Sequence, residues 1–280
     1  MQKLYEFKIS NGQIITSDGI LEYVKEMNDP RVKYIKTDFI MKEEYANSID
    51  QRGWRNMGKT DISKVEVIIT GHSDYEIGGN HVILRKERLK KWLCQNKKSS
   101  HEKLLSIPIG ITNKNENTHK IFKIIGNDDV IYKMLNEKKK MKNIAYLNIA
   151  YETYPEERKG IVKNYKDKKW VTYVTPSKTV DGHYKYIENI YNHKFVFAPR
   201  GNGLDTHRLW ESLYLQTIPI VKKAVGMEDF YDLPILFIDD WDGLTEEYLN
   251  VKYDEIMSKK YNMNKITLSY WCEKISSYLK

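Results

Sequence analysis

Arg208 and Glu211 stand three residues apart, just beyond the turn Arg200-Gly201-Asn202-Gly203-Leu204-Asp205. Leu209, Trp210, Leu213 and Tyr214 recur at helical intervals, so residues 206–216 read as a helix with Arg208 and Glu211 on one face. A guanidinium grips phosphate oxygens with a fork of N–H donors, and a carboxylate can accept a pair of ribose hydroxyls. Side by side they suit a nucleoside diphosphate. The turn adds to this expectation, because glycine tolerates positive φ and a loop feeding a helix N-terminus offers backbone N–H groups to an anion. Arg200, Gly201, Asn202, Gly203 and Asp205 are therefore expected around the phosphates, with His207 as a helix-start residue close to them. The competing reading is an ordinary turn, followed by an Arg208–Glu211 pair on a solvated helix surface.

Two buried strands must hold that helix in place. Residues 194–199 are apolar and aromatic with a proline stop, and residues 218–221 form a second apolar run, which completes a βαβ unit. Earlier in the chain, Val65 to Thr70 is a β-branched run ended by Gly71, with His72, Ser73 and Asp74 directly after it. Ligands of open parallel sheets bind beyond the C-terminal ends of strands, so His72 and Asp74 are candidates for a proton-accepting group. The alternative is a turn in which Ser73 or Asp74 caps the following segment. By the same rule Thr175, at the end of an expected strand over 170–175, is a candidate wall for a nucleobase. Arg158, near the start of an expected helix over 156–165, either points at phosphate or lies on the surface.

The remaining elements alternate. A helix is expected over 19–27 and strands over 32–40, 103–109 and 143–149; helices over 184–192, 246–257 and 266–279 and a strand over 235–239 follow. Residues 38–59, with Arg52, Trp54 and Arg55, read as a long loop, and the basic run 85–91 leads into Trp92-Leu93-Cys94-Gln95-Asn96. The pattern is α/β, doubly wound. At 280 residues the chain has room for two domains. The polar stretch 112–117 divides them into 1–117 and 118–262, and 263–280 forms a terminal helix.

The composition is globular, with 41% hydrophobic and 30% charged residues and a net charge of +8 that favours anionic ligands. Much of the excess lies in lysine runs at 138–142 and 166–169, read as solvated helix ends and turns. No nucleic-acid partner is expected. Two distant cysteines, Cys94 and Cys272, argue against a disulfide framework and for a reducing compartment. No cysteine or histidine spacing suggests zinc. Neither a secretory leader nor a membrane span is legible, so a soluble, cytoplasmic protein is expected. Asp240-Trp241-Asp242 is a rival feature: a D-x-D after a strand can hold a divalent metal against a diphosphate, though acidic turns after strands are common.

The run APRGNGLDTHRLWESLYLQTIPIV resembles the C-terminal motif of exostosin-like glycosyltransferases, in which a Pro-x-Gly loop, an arginine, a glutamate and an Ile-Pro strand recur in that order. TGHSDYEIGGNH, LKKWLCQN and HEKLLSIPIGITN resemble segments of exostosin-related enzymes of bacteria and large viruses, and the likeness covers about Val65 to Trp241. It implies a GT-B-like fold of two Rossmann-like domains facing across a cleft, with the acceptor on the first and a UDP-sugar on the second. It also implies an inverting transfer to a glycan hydroxyl. With the phosphates held by fixed N–H groups and Arg208, no metal or other cofactor is needed. A narrower likeness to xylosyltransferases of the large algal viruses (chloroviruses) implies xylose as the donor sugar. The expected lack of a membrane anchor departs from the Golgi-anchored animal exostosins. Three other readings stay open: a non-catalytic nucleotide- or polyanion-binding protein, a metal-dependent D-x-D glycosyltransferase, and a sugar-phosphate-processing enzyme of the same general fold.

Overall fold

Every residue from Val67 to Gly71 is buried, and this run forms a central strand, β2 (Val67–Gly71). A strand covered on both faces needs no polar alternation, which is the situation in a parallel sheet flanked by helices. The computed structural model describes residues 3–5, 9, 12–16, 18–41, 62–112 and 128–280. Arg52, Trp54, Arg55 and all of the expected linker beyond residue 112 lie outside the described residues. Helix α1 (Gly19–Met27) precedes β1 (Val32–Lys36). With β3 (Lys91–Cys94) and β4 (Leu104–Ser106) they make a parallel sheet in the order β1-β2-β3-β4.

The strand expected over 32–40 ends at Lys36 and passes into a short helix, α2 (Thr37–Met41). Thr37 Oγ1 donates to the Gly71 carbonyl at 3.2 Å, tying this change of direction to the end of β2. β3 is a strand that periodicity does not predict. Trp92, Leu93 and Cys94 are fully buried, but the run is too short to show a period and follows a basic segment.

The second half opens with α3 (Asp128–Asn136), also unexpected, and β5 (Asn143–Leu147). There follow α4 (Pro155–Tyr165), β6 (Val171–Tyr173), α5 (Val180–Tyr191) and β7 (His193–Phe197). Then come α6 (His207–Tyr214), β8 (Ile218–Lys222), β9 (Leu236–Ile238), α7 (Glu246–Met257) and α8 (Leu268–Ser277). Its sheet is parallel in the order β6-β5-β7-β8-β9. The architecture is thus the expected α/β one, with two Rossmann-like parallel sheets, one built from each half of the chain and both accompanied by helices. The chain steps outward from β5 to β6 and then returns to β7 on the other side of β5. Such a reversal opens a crevice beyond the C-terminal ends of the two strands, the usual ligand position in open α/β sheets. The loop after β7 is the Gly201 turn.

One apolar cluster runs through both halves and a smaller one covers the other face of the first sheet. Within the larger, Trp210, Phe230 and Trp271 meet edge to face, at centroid distances of 5.1 and 6.4 Å. Such rings each contribute about 2–3 kcal/mol by burial. The halves are also fastened by hydrogen bonds. Tyr5 Oη donates to the Leu213 carbonyl at 2.7 Å, and Tyr214 Oη accepts from Ile15 N and donates to the Ile266 carbonyl, both at 2.9 Å. α8 lies against α1, where the Tyr23 and Ser276 hydroxyls bond at 2.7 Å.

His193, at the start of β7, is fully buried, with Nδ1 2.6 Å from the Asn189 carbonyl and Nε2 2.8 Å from Thr172 Oγ1. A carbonyl only accepts, so Nδ1 carries the proton and the neutral ring accepts at Nε2. Burial pushes its pKa down to about 4. An unfolded histidine takes its proton near pH 6.5. This side chain therefore contributes stability that is fully present above that value and lost as pH falls through about 4, on the order of 3 kcal/mol. Urea unfolding between pH 7 and 4 should show a shallower loss of stability in His193→Asn than in the wild type.

Candidate active site

Arg158 reaches from α4 under the crevice. It is 6% exposed; its Nε donates to the Arg200 carbonyl at 2.7 Å, Nη1 to Ala150 at 2.9 Å and Nη2 to Pro199 at 3.4 Å. It is not a surface arginine: with three of its five N–H donors it staples the segment after β5 to the segment after β7. Three carbonyls engage its donors but do not cancel its charge, which the neighbouring Glu157 carboxylate offsets only in part. Burial, followed by the nearby charge of Arg208, pulls its pKa down to about 10. Arg158→Met leaves those carbonyls without a donor at 1–3 kcal/mol each. A loss of about 3 kcal/mol is expected in urea unfolding without nucleotide.

Arg208, on the first turn of α6, is the second cation. Its Nε is buried and makes no hydrogen bond with any described residue, and its guanidinium carbon is 5.6 Å from the centre of the Tyr186 ring. Glu211, one turn on, is 5% exposed and accepts from the Tyr186 hydroxyl at 2.6 Å through Oε2. The two are not paired, and the helix face is not solvated. Burial holds the Tyr186 phenol well above its ordinary pKa, against the opposing pull of Arg208. His183, on the same helix as Tyr186, is likewise held below its ordinary value by burial. Thr175 is exposed beyond β6, on the same C-terminal edge of the sheet as the Gly201 turn.

The turn itself differs from the expected amide cradle. Among the described glycines only Gly12, Gly110 and Gly243 have positive φ, so neither Gly201 nor Gly203 uses that freedom. Gly201 N donates to the Gly203 carbonyl at 3.0 Å and is engaged within the turn. Gly203 is required by proximity instead: a Cβ there would lie 2.8 Å from both terminal atoms of the Asn96 amide.

Three neighbours expected at the phosphates have other partners. Arg200 lies over the Tyr154 ring at 4.5 Å and bonds Glu76 of the first half at 3.0 Å and the Asn202 carbonyl at 2.8 Å. Asp205, 6% exposed, accepts from Trp210 Nε1 at 2.8 and 2.9 Å and from Ile109 N at 2.7 Å, while burial pushes its pKa up to about 7. His207 Nδ1 donates to the Gly110 carbonyl at 2.8 Å. The main chain leaving β4 has N–H and C=O groups facing the second half, and Asp205 and His207 satisfy those of Ile109 and Gly110.

Across the cleft, His72 adopts a φ of 58° and its side chain is 4% exposed. Its Nδ1 lies 2.7 Å from Tyr34 Oη, its Nε2 2.6 Å from Asp18 Oδ1, and its backbone N donates to Gln95 Oε1 at 3.1 Å. With both ring nitrogens engaged, this histidine fixes the turn, and it lines the same cavity as Asp74. Ser73 Oγ donates to Asp38 at 3.1 Å and accepts from Tyr75 N at 3.2 Å, so the capping alternative is also realised. Asp74 is left exposed, with no hydrogen bond or ion pair to a described residue. It lines a cavity of about 480 Å³ with Asp38, His72, Ser73 and Tyr75 on one side and Asn202 on the other.

The D-x-D segment follows β9. Asp240 faces Lys222 at 3.6 Å and accepts from Trp241 N, Asp242 accepts from Asn164 at 3.3 Å, and Trp241 is buried against Phe197. Among the described residues no group of three or more His, Cys, Asp or Glu side chains is placed to hold a metal ion, and no helix is long and apolar enough to cross a membrane. Glu76, Gln95, Asn96 and Tyr186 join the site without being among the candidate residues of the sequence. Gln95 and Asn96 follow an apolar run just as His72 and Asp74 do, and that shared signal was available.

No protein-family model matches the chain, and no curated protein matches its sequence. Among solved structures, an α1,3-fucosyltransferase with GDP-fucose aligns over 99% of this chain and 93% of its own, at 10% identity and a TM-score of 0.44. Another α1,3-fucosyltransferase structure aligns over 90% of each chain, at 11% identity and a TM-score of 0.45. A UDP-GlcNAc 2-epimerase from Methanocaldococcus jannaschii aligns over 93% of this chain and 80% of its own, at 10% identity and a TM-score of 0.36.

Proposed function

We propose that this chain is an inverting glycosyltransferase that moves a sugar from a nucleoside diphosphate to a hydroxyl of a glycan acceptor. The observation that carries the reading is the pair of guanidiniums at the crevice between β5 and β7, Arg158 and Arg208, neither of them paired with a carboxylate of the described residues. Two guanidiniums beside each other, one buried and one with a buried Nε that lacks a partner among the described residues, are left short of acceptors, and a diphosphate supplies them. In this reading Arg208 contacts the phosphate oxygens while Arg158 holds the loop and adds its charge from beneath. Glu211 Oε1 accepts from the ribose, and Thr175 borders the base. Residues 118–262 thus carry the donor and residues 1–117 the acceptor.

The chemistry follows from charge. The bond from the anomeric carbon to the β-phosphate oxygen breaks and its electron pair leaves with the nucleotide. Arg208 and the first turn of α6 stabilise that developing charge with dipoles already in place. On the opposite face of the sugar an acceptor oxygen forms the new bond, and Asp74 takes its proton. Attack from the face opposite the leaving group inverts the anomeric centre. UDP as the nucleotide and xylose as the sugar rest on the sequence resemblance, as does independence of metal.

A thermal-shift screen of UDP- and GDP-sugars with and without EDTA tests the reading. Ligand at about 100 times Kd stabilises by about 2.7 kcal/mol. That corresponds to a rise of roughly 5 °C or more in a chain of this size. UDP-xylose is expected to give it in the presence of EDTA. No shift with any nucleotide overturns the proposal, and a shift lost on adding EDTA favours the D-x-D reading.

A further inference from the structure

We propose that Asn96 is a positioning residue that sets the distance between the proton-accepting turn and the donor loop, an inference that rests on the transferase reading above. Asn96 follows β3, is 3% exposed and has a φ of 58°, a backbone state that asparagine adopts more readily than most residues. Its Nδ2 donates to the Ser73 carbonyl at 3.1 Å and its Oδ1 accepts from Asp205 N at 3.0 Å. The first partner only accepts and the second only donates, so the orientation of the amide is fixed by chemistry. One bond ends on the residue before Asp74. The other ends at the loop that leads into the helix of Arg208.

The amide is held from a third side. Gly203 packs so closely that a Cβ would sit 2.8 Å from both Oδ1 and Nδ2, which leaves no room for the amide to withdraw. The preceding residue, Gln95, accepts from His72 N at 3.1 Å, so both polar residues after β3 grip the same turn. Asparagine alone meets these demands: aspartate lacks the donor, glutamine is longer than the gap, and alanine makes neither bond. Arg208, which is proposed to hold the diphosphate, is not touched by Asn96. Donor affinity and the alignment of Asp74 therefore depend on different residues.

That separation is measurable as a split between binding and turnover. Asn96→Asp keeps an oxygen toward Asp205 N and turns a second oxygen against the Ser73 carbonyl. Asn96→Gly keeps the positive φ and removes both bonds, and serves where the aspartate does not fold. UDP affinity is read by calorimetry. Turnover is read as UDP release from UDP-xylose with whichever of free xylose, galactose, glucose, fucose or rhamnose stimulates it most in the wild type. A fall in kcat of about 10-fold or more, with UDP affinity within about 3-fold of the wild type, is expected. Equal losses in affinity and kcat, or a lowered Tm with kcat intact, overturn the positioning role. A wild type that binds UDP but releases none from the sugar nucleotide overturns the transferase reading, and this inference falls with it.

Discussion

Arg208→Ala is expected to weaken UDP binding by a factor of about 10² to 10³ while leaving the nucleotide-free protein as stable as before, or slightly more so. Each hydrogen bond to a charged group contributes about 1.5–3 kcal/mol, and a forked guanidinium–phosphate contact makes two of them. In the free protein the Arg208 Nε is buried without a partner among the described residues, so its removal breaks no hydrogen bond of that atom and takes away an unsatisfied donor. Arg158→Met should behave in the opposite way, because its three carbonyl contacts are intact before any nucleotide arrives. Calorimetric titration with UDP, paired with urea unfolding of the same variants, separates the two. Equal destabilisation by both substitutions, with unchanged affinity in Arg208→Ala, removes the basis of the phosphate site. Arg208→Lys should recover only part of the affinity, since an ammonium cannot reproduce the fork.

Asp74→Asn is expected to leave UDP affinity unchanged and to lower turnover by a factor of about 10² to 10⁴, the range for loss of a general base. Asparagine is nearly isosteric, and Asp74 makes no bond with a described residue that the change could break. Its cavity is lined from the first half apart from Asn202, so the donor crevice should not register the substitution in binding. A steady-state comparison of kcat and KM for UDP-xylose, together with calorimetry, reads this directly. Turnover within a few fold of the wild type transfers the role of base elsewhere.

The long-range order of the fold is legible in the sequence where burial is continuous. β2, β5, β7 and β8 read as strands because their apolar runs are covered on both faces. β3 is hidden by its length and its lysine-rich approach, and α3 by the polar sequence around it. At the site, the residue types that matter are visible but their partners are not. Gly203 reads as a turn glycine, yet its necessity comes from Asn96 in the other half of the chain. Arg158 could not be placed from helix position alone, because its partners are backbone carbonyls that carry no side-chain signature. Asp205 and His207 lie where a phosphate loop would have them and instead close the seam with Ile109 and Gly110. A hydrogen-bonding group beside a cleft serves either the ligand or the seam, and sequence does not say which.

The seam also runs through the chain's own order. Tyr5 and Ile15 are fastened to Leu213 and Tyr214, Ile14 pairs with Thr267, and Tyr23 reaches Cys272 and Ser276. Stretches early and late in the sequence therefore cross into each other's territory like interleaved fingers. Dissection at the sequence midpoint would leave each sheet whole but strip it of the crossing segments that cover it, and co-expressed fragments should find one another and rebuild the whole without a covalent join.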